Sequence, residues 1–69
     1  MNHANLDRSE RLQRVLAYLS DGREHTTRDI IRGTGQCAIN SIAAEIRAQG
    51  HDIRARREGR RWYYRRVSA

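Results

Sequence analysis

The sequence predicts a small, mainly helical α+β domain, a three-helix core closed by a C-terminal β-hairpin. Three observations predict it. Apolar residues recur at i, i+3, i+4 and i+7 in two stretches, first Leu12, Val15, Leu16 and Leu19, then Ile39, Ile42, Ala43 and Ile46. That spacing lines one face of a helix. Between them a shorter apolar pair, Ile30-Ile31, is bounded by Thr27 on one side and by Gly33 and Gly35 on the other. After Gly50 the period drops to two, with Ile53-Arg54-Ala55-Arg56 alternating and Trp62-Tyr63-Tyr64 rich in strand-favouring aromatics.

Residues 1–6 read as a leader, 7–67 as the domain and 68–69 as its end. Asp7 to Glu10 has the D-x-x-E form of a capping box and opens the first helix. Ser20-Asp21-Gly22 ends it, with Gly22 as C-cap. Glu24-His25-Thr26 suits a brief strand. Thr27 can cap the second helix, and Asp29 in its first turn complements the helix dipole. The glycines after Arg32 break that helix. The third helix is expected from Gln36 to Gln49. Its stripe Ile39, Ile42, Ala43, Ile46 faces the core and leaves Cys37, Ser41, Ala44 and Ala48 outside. In the hairpin, a two-residue loop at Glu58-Gly59 sets Ala55 opposite Trp62 and Ile53 opposite Tyr64. Those four then share the core face. Arg54, Arg56, Arg61, Tyr63 and Arg65 share the solvent face, and a one-residue slip would turn Tyr63 inward.

Charge is the most informative part of the composition. The chain of 69 residues carries 14 basic side chains against 8 acidic ones, for a net +6. All the basic ones are Arg, and seven of them fall in residues 54–66. Residues 1–50 net +1 and residues 51–69 net +5. A basic terminal third points first to nucleic acid, then to a membrane surface or an acidic protein. No run approaches the roughly 20 apolar residues of a membrane span. The single cysteine, Cys37, excludes an internal disulfide. The first residues lack the form of a secretory signal, so a cytoplasmic location is expected. His3, His25 and His51 have no ligand spacing with one another or with Cys37, so no metal is expected. No cofactor loop, nucleophile–base set or paired carboxylates stand out, and no catalytic activity is expected.

The order helix, strand, helix, turn, helix, hairpin places a hairpin directly after two helices joined by a Gly-containing turn. Glu45-Ile46-Arg47-Ala48-Gln49-Gly50-His51-Asp52-Ile53, followed by the basic Trp-Tyr-Tyr strand, resembles the small winged helix-turn-helix domains of phages and prophages. The resemblance spans about residues 9–67. It implies a winged-helix DNA-binding module, a regulatory or architectural factor in a bacterial cell or phage-infected host. Its third helix would enter the major groove and its wing would grip the backbone. Such proteins commonly carry Arg on the third helix near positions 38 and 42, where this chain has Ala38 and Ile42.

The base-reading candidates are therefore Gln36, Asn40 and Ser41. Gln and Asn can pair with adenine in two places, and Ser is permissive. The backbone candidates are Thr27, Arg28, Arg47, Arg54, Arg56, Arg61, Tyr63 and Arg65, because guanidinium forks bind phosphate and a helix start offers free amides. Neutralising four to six phosphates gives a log–log salt slope of about −4 to −5 on duplex DNA. Blander roles stand beside these. Thr27 is a cap, Arg28 pairs with Glu24 or Arg32 with Asp29, Trp62 and Tyr64 fill the core, and Cys37 is a small surface residue. Double-stranded DNA is the expected partner, with an acidic host protein or nucleoprotein surface, or RNA, as the alternative. A monomer or weak homodimer is expected, since no coiled-coil extension is present.

Overall fold

The computed structural model describes residues 9–67, so the expected leader, the Asp7 cap and the last two residues lie outside the described part. Helix α1 spans Glu10–Tyr18 and runs into a 3-10 turn at Leu19–Asp21. Strand β1 is His25–Thr26, α2 is Thr27–Thr34 and α3 is Ile39–Ala48. The hairpin is β2 (Ile53–Glu58) and β3 (Arg61–Arg66). The sheet is antiparallel throughout in the order β1-β3-β2. This is an α+β, winged-helix arrangement. Among the described residues no helix is long and apolar enough to cross a membrane.

Ser9 caps α1, its Oγ accepting from Leu12 N at 3.4 Å. The cap of α2 falls one residue earlier than expected. Thr26 Oγ1 accepts from Asp29 N at 3.1 Å and Asp29 Oδ2 accepts from Thr26 N at 3.3 Å, a reciprocal capping box. Thr26 is extended, as an N-cap must be, because it also ends β1. Thr27 is thereby the first helical residue.

Gly35 ends α2 in the left-handed conformation. The chain then crosses a turn over Gly35, Gln36, Cys37 and Ala38. Buried Thr34 fastens it, donating to Ile30 O at 2.6 Å and accepting from Gln36 N at 3.2 Å. Ala38 is also left-handed, at φ 51° and ψ 47°, and its carbonyl accepts from Ser41 N and Ile42 N at 3.1 Å each. So α3 starts at Ile39, the first residue of its apolar stripe and three residues later than expected. A helix cannot propagate back through a left-handed residue.

The core is Leu12, Val15 and Leu19 from the first helical segment, Ile30 from α2, and Ile39, Ile42, Ala43 and Ile46 from α3. Ile53 and Tyr64 close it from the hairpin's base. Fully burying an aliphatic side chain contributes about 1.5–3 kcal/mol, so this short stripe set carries most of the domain's cohesion. Leu16 sits half-buried at its edge, and of the apolar pair on α2 Ile30 is buried while Ile31 is 37% exposed. Tyr18 packs across Gly33, where an added Cβ would meet its ring.

The hairpin departs from expectation in register. Glu58 pairs with Arg61, Arg57 with Trp62, Arg56 with Tyr63 and Ala55 with Tyr64, so the loop is Gly59-Arg60. Gly59 has φ +64° while Arg60 does not have a positive φ, the pattern of a II′ turn with Gly first. The shift replaces a like-charge pair, Arg57 opposite Arg60, by Glu58 opposite Arg61. Pairing moves by two residues, so each side chain keeps its face. The core assignment changes nonetheless. Ile53 and Tyr64 are buried, but Ala55 and Trp62 are exposed. They lie outward of the point where the hairpin leaves the helices.

Candidate nucleic-acid interface

The wing has two unlike faces. On one lie Arg54, Arg56, Tyr63 and Arg65, with Arg61 at its tip, alternating with the residues that point toward α3. Two of these arginines, Arg54 and Arg56, are answered by carboxylates within the chain. Arg56 Nε and Nη2 donate to Glu24 at 2.6 and 2.9 Å, and Arg56 Nη1 lies 3.6 Å from Glu58. The Arg56 guanidinium also lies 4.4 Å over the Tyr63 ring centroid, and Tyr63 is half-buried. The Glu24 carboxyl is held below its ordinary range, chiefly by that hydrogen bond from Arg56. Arg56 is held correspondingly more firmly protonated. Arg54 Nε donates to Asp52 at 3.0 Å. Arg65 adds to the field around Glu24.

The other face opens beyond Tyr64 onto two grooves. The first, of about 560 Å³, lies between the wing and the start of α3. Ala38, Ile39, Ala55 and Tyr64 give it apolar walls, and Asn40 and Arg47 add polar ones. Arg47 is anchored, its Nε donating to Ile53 O at 2.7 Å. That bond ties α3 to the wing's first residue and leaves Arg47 as much a strut as a phosphate ligand.

The second groove, of about 710 Å³, lies between the start of α2 and the wing tip, lined by Arg28, Arg60 and Arg61 among others. None of the three bonds a carboxylate among the described residues. Arg28 does not pair with Glu24, which is taken by Arg56. The groove's own carboxylate, Asp29, is occupied by the Thr26 cap, which holds it below its ordinary range. Trp62, 45% exposed, and Thr27 line both grooves.

The structure thus brings Thr27, Arg28, Asn40 and Arg47 around these grooves, and Arg61, which alternates with Tyr63 and Arg65, reaches the second one from the wing tip. The structure leaves Arg54, Arg56, Tyr63 and Arg65 on the opposite face. Ser41 is exposed on α3 beside Ala44 and Ala48, away from both grooves. Gln36 is half-buried in the turn and is not a helix residue. Exposed Cys37 lies in the same turn. Two groove residues escape sequence reasoning. Arg60 shows only once the loop is placed at Gly59-Arg60, and Trp62 only once the wing is seen to overhang the core.

Compared with known protein families, curated proteins and solved structures, the chain matches none of them.

Proposed function

We propose that this protein binds double-stranded DNA, as a regulatory or architectural factor of phage or prophage type. In this reading α3 turns its exposed Asn40–Ser41 side toward the major groove, and the cations beside the wing hold the phosphate backbone. The observation that carries the reading is the cluster of Arg28, Arg60 and Arg61, without carboxylate partners among the described residues, in a groove that shares Thr27 and Trp62 with the one bordering α3. Guanidiniums without a carboxylate partner among the described residues, lining one groove together, suit a polyanion.

The test is fluorescence anisotropy with a labelled random duplex of about 20 base pairs at about 50 and about 200 mM salt. Binding that falls steeply with salt is expected. No binding at the lower salt overturns the reading. A second reading, an interaction module for an acidic protein surface, draws on the uncharged exposed side chains Ser41, Ala44 and Ala48 of α3. Partners that survive nuclease treatment in a pulldown, with no duplex binding, would favour it.

A further inference from the structure

Trp62 stands where a nucleotide could be held on both sides. Two strand positions away, Tyr64 is 4% exposed and belongs to the core, while Trp62 is 45% exposed. The other exposed large apolar side chain among the described residues, Ile31, lines the same cationic groove. Single exposed apolar residues are ordinary, but two lining one groove with arginines that have no carboxylate partner among the described residues are not. On one side of Trp62 is the slot walled by Ala38, Ile39, Ala55 and Tyr64, with the exposed Asn40 amide on its lining. On the other side are Arg28, Arg60 and Arg61.

A nucleotide presents these features in the same order. Its base is flat and apolar on the face, with hydrogen-bonding groups at the edge, and its phosphates are anionic. The slot, at about 560 Å³, is in the size range of small-ligand sites. Within a duplex each base face is already covered by its neighbours. Away from the duplex ends, an indole therefore stacks at least cost on a base that is unpaired, bulged or extruded. We infer that Trp62 stacks on an unpaired DNA base, with Asn40 at the base's edge and Arg28, Arg60 and Arg61 on the flanking phosphates. This rests on the DNA-binding reading and adds a preference for interrupted over perfect duplex. Adenine is the favoured base, since an amide can pair with it in two places.

Trp62 is the chain's one tryptophan, so its fluorescence reports the site directly. The experiment compares a labelled perfect duplex with the same duplex carrying one bulged adenine, reading label anisotropy for binding and Trp62 emission for stacking. The bulged duplex is expected to bind about tenfold more tightly and to quench Trp62 where the perfect duplex does not. Trp62→Leu is expected to lose that tenfold on the bulged duplex, with under about threefold loss on the perfect one, and Trp62→Phe to keep most of it. Circular dichroism checks that the variants fold. If Trp62→Leu does not fold, wild-type emission decides alone. Equal affinity for the two duplexes, or equal quenching by both, overturns the stacking inference and leaves DNA binding standing. No binding to either duplex overturns both.

Discussion

The base of the wing's outer face and the groove at its tip carry the same side-chain chemistry and differ in what answers it. On the outer face Arg54 and Arg56 are tied to Asp52 and Glu24, and Arg56 lies across Tyr63. In the groove at the wing tip Arg60 and Arg61, with Arg28 of α2, have no carboxylate bond among the described residues. An arginine already held by a carboxylate must give up that partner before it gains a phosphate, so its net contribution to binding is small. A free one releases counterions without that exchange. Counting arginines along the sequence overstates the outer face and understates the groove.

The largest expected effect tests this directly. Replacing Arg28, Arg60 and Arg61 together by alanine should weaken duplex binding about a hundredfold at low salt and flatten the log–log salt slope by about 2.7, three phosphates at about 0.9 each. Replacing Arg54 and Arg56 together should cost under about fivefold and change the slope by less than about 1. Anisotropy titrations over a salt series measure both. The reverse order would break the distinction between the two regions.

An intermediate effect comes from removing the carboxylate instead. Glu24, Asp29 and Asp21 are each held below their ordinary values. Arg56 does this for Glu24 and the Thr26 cap for Asp29. For Asp21 it is first the Arg23 amide and then His25. A depressed carboxyl contributes stability that is complete above its unfolded pKa and is lost as pH falls through the folded one. The melting temperature should therefore fall as pH drops from about 5 toward 3. Glu24→Gln should start lower at neutral pH and show a smaller acid decline, because its share is already gone. It should also raise duplex affinity about two- to threefold by freeing Arg56. An unchanged acid decline in that variant would mean the Glu24–Arg56 pair adds nothing to the fold, as many exposed pairs do not.

The helices were largely legible in the sequence because their information is periodic. Leu12, Val15 and Leu19, and Ile39 through Ile46, each follow from a spacing that only a helix satisfies. The turns were less so. Nothing in Gly35-Gln36-Cys37-Ala38 marks Ala38 as left-handed, since glycine or asparagine is the usual occupant, and Gln36 was placed on the helix for that reason. The hairpin's faces were readable from alternation, but its loop depended on whether Gly59 came first or second in the turn. Trp62 was misassigned because alternation says which face a side chain takes and not how far that face extends over a core. That distance is tertiary, and it separates buried Tyr64 from exposed Trp62. Which arginines stay free was not readable either, since Glu24 and Arg56 are 32 residues apart and meet only across the sheet.

The smallest expected effect probes the floor of the open side. Ala38 lines the first groove in a conformation that costs an L-residue roughly 1–2 kcal/mol. Ala38→Gly removes that strain but adds freedom to the unfolded chain, worth about 0.5–1 kcal/mol. The net should be a gain of about 0.5–1 kcal/mol, seen as a melting temperature higher by roughly 2–8 °C. Duplex affinity should stay within about twofold, because the groove's cations and Trp62 do not depend on that methyl group. A lower melting temperature would show that the Ala38 Cβ packs against the groove wall by more than its backbone strain costs. The groove would then have to be treated as part of the core's edge, and the contrast between an open and an answered side of the wing would narrow to the arginines alone.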